Sequence, residues 1–124
     1  MSQADPPFAV PPDIVLDLPP PLSVNRTRKI DWKAYPKVKE WIRQADFMFL
    51  TQKRSIPPVI TGRYEIILTL SDNVLIDIDN TPKLVIDTVR RFRLVPDDNP
   101  NYLRKLTIEL GNVAGCRVTI RPIA

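Results

Sequence analysis

The chain has 124 residues, 44% of them hydrophobic and 26% charged, a balance that suits one globular domain and leaves little room for a second module. It contains no histidine, which excludes imidazole acid–base work, histidine triads and histidine-ligated metal sites, so any catalysis must run on carboxylates, lysine, hydroxyls or a metal. The formal net charge is +4, and all eighteen Lys and Arg residues follow position 25, so a basic body trails an acidic leader and points weakly to a polyanion partner.

Residues 1–12 hold four prolines, which withhold backbone donors and favour extended structure, so they read as a flexible, proline-rich leader. This N-terminus has neither a basic start nor an uninterrupted apolar stretch, and no apolar run in the chain approaches the roughly 20 residues that span a bilayer. The expectation is a cytoplasmic protein. From residue 13 onward a single domain is predicted. "DIVLDL" (13–18) alternates like a strand and is ended by "PPP" (19–21), after which "LSVNRTRK" reads as an exposed basic loop. Next, Ala34, Val38, Trp41, Ile42, Ala45, Met48 and Phe49 recur at spacings of three and four, the apolar stripe of a long helix. Pro36 places its start close by, because proline is tolerated only in the first turn.

"SIPPVITG" breaks the chain before "RYEIILTL" (63–70), a strand with Tyr64, Ile66, Leu68 and Leu70 on one face. "SDN" turns the chain and "VLIDID" (74–79) extends it again. A helix over about 82–92 follows, with Thr81 as its N-cap, Pro82 at its first position, and Leu84, Val85, Ile86, Val89 and Phe92 on its buried side. "VPDDNPNY" is loop. "LRKLTIEL" and "CRVTIRPI" alternate around "GNVAG", a connection short enough for an antiparallel hairpin. The lone Cys116 has no intrachain disulfide partner and reads as a reduced, half-buried strand residue. The order β-α-β-α-β-β predicts an α+β domain, a mixed sheet packed by two helices.

Chemistry concentrates around the second predicted helix. Asp77 and Asp79 lie two apart in an extended segment, so their carboxylates share one side, with Cα atoms roughly 6–7 Å apart. Such a pair repels itself unless a cation lies between, and a hard divalent ion such as Mg²⁺ takes oxygen ligands of this kind. Lys83 and the positive end of the helix add attraction for an anion. Asp97 and Asp98 form a third acidic site in the loop after the helix. These acids also suit plain turn and strand-end roles, and periodicity does not decide between the readings. A calcium loop fits poorly, because Pro82 and Thr88 stand where its glycine and glutamate belong. A glycosyltransferase-type D-x-D needs a nucleotide-sugar domain that a chain of this length does not supply.

"LPPPLSVNR", then D-x-D-N, then a lysine four beyond the second aspartate and D-D ending nineteen beyond it, resembles the RusA family of Holliday-junction resolvases. The likeness runs from about Ile14 to Ile120 and includes the order of elements. It implies a Mg²⁺-dependent endonuclease that acts as a homodimer and nicks four-way DNA junctions symmetrically in recombination and repair. By this resemblance Asp77, Asp79 and Asp98 are the catalytic acids and metal ligands, Lys83 is the catalytic lysine, and Asn25 is the asparagine after the proline turn. Arg26, Arg28 and Lys29, with Arg90, Arg91 and Arg93, are candidates for phosphate contacts. Arg90 and Arg91 equally suit a helix C-terminus. Where family members commonly carry basic residues before the first aspartate, this chain has the apolar "NVLI".

Overall fold

The structure, a computed structural model, describes residues 12–20, 35–72 and 82–123. Its elements are β1 (Ile14–Leu18), α1 (Tyr35–Gln52), a single 3₁₀ turn (Lys53–Ser55), β2 (Tyr64–Ser71), α2 (Pro82–Arg91), β3 (Leu103–Gly111) and β4 (Cys116–Pro122). Together they form one small α+β domain with two helices and a four-stranded mixed sheet, ordered β1-β4-β2-β3. β1 and β2 each run antiparallel to β4, while β2 and β3 are parallel, joined by the crossover that carries α2.

Register explains where the core sits. Three apolar rows cross the sheet: Ile14–Ile120–Ile66–Leu106, Leu16–Val118–Leu68–Ile108 and Leu18–Cys116–Leu70–Leu110. Every member on β1, β4 and β2 is at most 2% exposed. Full burial of a side chain of this size contributes about 1.5–3 kcal/mol. Trp41 and Ala45 of α1, and Val85 and Val89 of α2, belong to the same core. The predicted helix stripe therefore does pack, although Met48 and Phe49 remain only partly covered.

One side-chain amide and an indole tie α1 to the first strand and the prolines just beyond it. Trp41 Nε1 donates to the carbonyl of Pro20 at 2.8 Å. Gln52 accepts from the Asp17 N–H and donates to the Asp17 carbonyl, both at 2.8 Å, so its amide stands in for a neighbouring strand on the outer edge of β1. Phe49 of α1 stacks on Phe92, just past α2, with centroids 4.1 Å apart.

The last two strands do not form the expected hairpin. They are antiparallel to each other, but β2 lies between them, and residues 112–115 pass around its end. Both ends of that connection bond to β2: Ser71 N–H donates to the Gly115 carbonyl at 3.2 Å and Asp72 N–H to the Gly111 carbonyl at 3.1 Å. β2 buries four large side chains and needs partners on both sides, a demand that an alternating local pattern does not reveal. Cys116 is also more enclosed than predicted, at 2% exposure, and burial pushes its thiol up to about 12.

The face away from the helices is mostly polar, with Val15 and Ile67 the apolar members of its middle row, and its charges alternate in sign. Arg117 pairs with Asp17 at 2.8 Å and Arg121 with Asp13 at 3.2 Å, while Glu65 stands in register with both Arg121 and Lys105. A surface of alternating sign gives a polyanion little net attraction. No helix among the described residues is long and apolar enough to cross a membrane.

Candidate nucleic-acid interface and acidic loop

The end of α2 is closed by backbone geometry that delivers the chain to the acidic loop. Leu94 N–H donates to the Val89 carbonyl and Arg93 N–H to the Arg90 carbonyl, the paired bonds of a Schellman stop. Such a stop wants a left-handed residue, usually glycine. Here it is Arg93, at φ 61°. Leu94 and Val95 then return to the core, and the chain turns out again at Pro96.

Asp97 and Asp98 are thereby set against the last turn of α2. Arg90 Nε stands 3.5 Å from Asp97 Oδ1 and its Nη1 3.6 Å from Asp98 Oδ1. Asp97 anchors the loop from within, accepting the Asp98 N–H at 2.7 Å and the Asn99 side-chain amide at 3.0 Å. The Asp98 N–H is the main influence holding the Asp97 carboxyl below the usual range, helped by Asn99 and Arg90. From below, the Tyr64 hydroxyl donates to the Asp97 carbonyl. Burial, reinforced by the charges of Asp98 and Asp97, pushes the Tyr64 hydroxyl up to about 12, so it remains a donor.

Beside this loop lies a cleft of about 500 Å³ lined by Asp87, Arg90, Arg91, Arg93, Val95 and Pro96. Its three arginines differ in what they face. Arg90 is shared by the two loop acids, and Arg91 reaches Asp46 of α1 at 2.5 Å while lying 5.0 Å from the centre of the Phe92 ring. Arg93 has no ion pair among the described residues. The cleft thus offers one guanidinium outright and two that an incoming phosphate can share, in contrast to the neutral sheet face.

Only some of the predicted site residues come together. Asp98 meets Arg90 rather than Lys83, which is exposed in the first turn of α2, seven residues and about 10 Å along the axis from Arg90. Among the described residues no ion pair involves Lys83. Asp77, Asp79, Asn25, Arg26, Arg28 and Lys29 lie outside the described residues, as do Thr81, the "VLIDID" segment and all of the leader except Pro12. Among the described residues no three acids are grouped closely enough to hold a metal ion. Asp98 nevertheless has the chemistry that Mg²⁺ takes: an oxygen donor with a third of its side chain exposed, its salt-bridge partner no closer than 3.6 Å.

Two contacts that fix the acidic loop escaped the sequence. Tyr64 was legible as core, but its hydroxyl's role in fixing the acidic loop was not. Arg90 was legible as a cation at a helix end, and the short path from Arg90 to Asp97 was the signal that helix end and acids must meet. Compared with known proteins, the chain matches no family model and no curated sequence.

Proposed function

We propose that the chain is a Mg²⁺-dependent, structure-selective DNA endonuclease of the RusA kind, resolving Holliday junctions by paired, symmetric nicks as a cytoplasmic homodimer. What supports the reading is the spaced Asp77/Asp79/Lys83/Asp98 pattern of the sequence. The observation that carries it in the fold is an acidic loop pinned by Tyr64 and Arg90 at the rim of an arginine-lined cleft. Cations dock phosphates, and metal-dependent phosphodiester cleavage uses carboxylates to hold the ion beside them.

In this reading Asp77, Asp79 and Asp98 hold Mg²⁺. Once bound, the ion supplies a water of lowered pKa and neutralises charge on the leaving oxygen. Lys83 contributes a point charge to the phosphate in the transition state. Arg93, with Arg90 and Arg91, grips the backbone of one junction arm, and Asn25, Arg26, Arg28 and Lys29 make further DNA contacts. Two opposed cuts require two identical sites, which a two-fold dimer presents to a substrate of matching symmetry.

The test is a four-way-junction assay with and without Mg²⁺. Asp79→Asn should abolish nicking while leaving junction binding intact, and equal cleavage by that variant and the parent would reject the assignment. A second reading, branched-DNA binding without cutting, is favoured by one observation: Arg90 already supplies the counter-charge of Asp98. It predicts salt-dependent junction binding and no nicks at any Mg²⁺ concentration.

A further inference from the structure

The two edges of the sheet are finished differently. β1 is five residues long, bounded by Pro12 on one side and Pro19 and Pro20 on the other, and its outer edge is closed at Asp17 by the Gln52 amide. These are the devices that stop a strand from recruiting another. β3 is less protected. It is nine residues long without proline, and only at its start does a described residue bond to its outer edge, where the Leu103 N–H donates to the Asn99 carbonyl at 3.0 Å.

The core rows also stop short at β3. Ile66 and Leu70 are fully buried, yet their register partners Leu106 and Leu110 are 40% and 55% exposed. A strand paired on one edge alone, with an apolar row ending in solvent, is a template for strand addition. Its sequence specifies the partner. Around Thr107, "KLTIE" (105–109) is complementary to itself under a two-fold rotation: lysine meets glutamate, leucine meets isoleucine and threonine meets threonine.

We propose that β3 pairs antiparallel with β3 of a second copy of this chain about a two-fold axis through Thr107, joining two four-stranded sheets into one of eight. In that register Lys105 faces Glu109 of the second copy on the polar side, and Leu106 faces its Ile108 on the helix side. Each contact occurs twice, as an isologous interface requires. Two of the three apolar rows then continue from one subunit into the next, through Leu106 and Ile108, while Leu110 comes opposite Arg104 of the second copy. The pairing is argued from the strand's own pattern and holds whether or not the chain cuts DNA, so its test reads assembly and not cleavage.

Sedimentation of the full chain should give a species of twice its mass. Lys105→Glu or Glu109→Lys alone sets like charges opposite each other at two places and should weaken the dimer on the order of ten-fold. The double variant should restore it. Lys105→Glu also places an acid beside Glu65 within the subunit, but Glu109→Lys does not relieve that contact, so rescue reports the intersubunit pair alone. Paired residues on antiparallel strands lie about 4.5–5.5 Å apart between Cα atoms, within disulfide reach. Thr107→Cys should therefore cross-link on oxidation, with buried Cys116 inert. A monomeric parent, a double variant no tighter than the single ones, or a Thr107→Cys chain that dimerises without cross-linking would each overturn the proposal.

Discussion

Arg93 combines a costly backbone with an accessible charge, and substitution can separate the two. At φ 61° a side chain crowds its own carbonyl, a strain of about 1–2 kcal/mol that glycine escapes. Glycine returns about 0.5–1 kcal/mol through the greater entropy of the unfolded chain. Arg93→Gly should therefore stabilise the protein by roughly 0.5–1 kcal/mol, a rise of about 2–5 °C in melting temperature for a domain of this size. Arg93→Ala keeps a Cβ in the left-handed conformation and should give no such gain. Both variants remove the cleft guanidinium that has no carboxylate partner among the described residues, so both should bind a four-way junction more weakly, with the dependence of log affinity on log salt shallower by about one. Urea unfolding and junction titrations at several salt concentrations read the two effects separately. Glycine and alanine variants of equal stability would refute the strain argument, and an unchanged salt slope would refute the phosphate contact.

Gly115→Ala should destabilise the protein by about 1–3 kcal/mol in urea melts, because a Cβ there would lie 2.8 Å from the Leu18 carbonyl oxygen and 3.0 Å from the Pro20 nitrogen, backbone atoms that cannot swing aside. Gly62→Ala, with nothing within 4 Å, is the control and should cost no stability. Asp97 holds its proton less tightly folded than unfolded, so its contribution to stability is complete above its unfolded pKa of about 3.9 and is lost as pH falls through the lower folded value. Asp97→Asn should flatten that part of the acid limb in unfolding curves taken between about pH 5 and pH 2.

What local pattern encodes, the sequence displayed. β1, α1, β2 and α2 fall where alternation, the three-four stripe and Pro82 put them, because each signal arises within a few residues of the element it marks. The two final strands were legible for the same reason, while their pairing was not. Hairpin and crossing connections share a short loop and an alternating pattern, and the strand that separates β3 from β4 was laid down some forty residues earlier. Of the candidate site, residue types and order were legible, and so was a basic helix end. That Asp98 faces Arg90 and not Lys83 depends on how the chain leaves the helix, which the left-handed Arg93 decides. Arginine is an uncommon residue in that conformation, so nothing in the local sequence announced it.

β1 has one strand neighbour among the described residues, and that neighbour is β4; the Asp17–Arg117 pair closes a separation of 100 positions. A ribosome must therefore finish nearly the whole domain before this first strand can pair, and until then only α1, through Trp41 and Gln52, is at hand to hold it. Helices α1 and α2 can form early, but assembly of the sheet waits for the final strand to slot between β1 and β2. Folding should accordingly be slow for so small a chain, limited by the search for one distant contact and vulnerable to capture by other unfinished chains along the way.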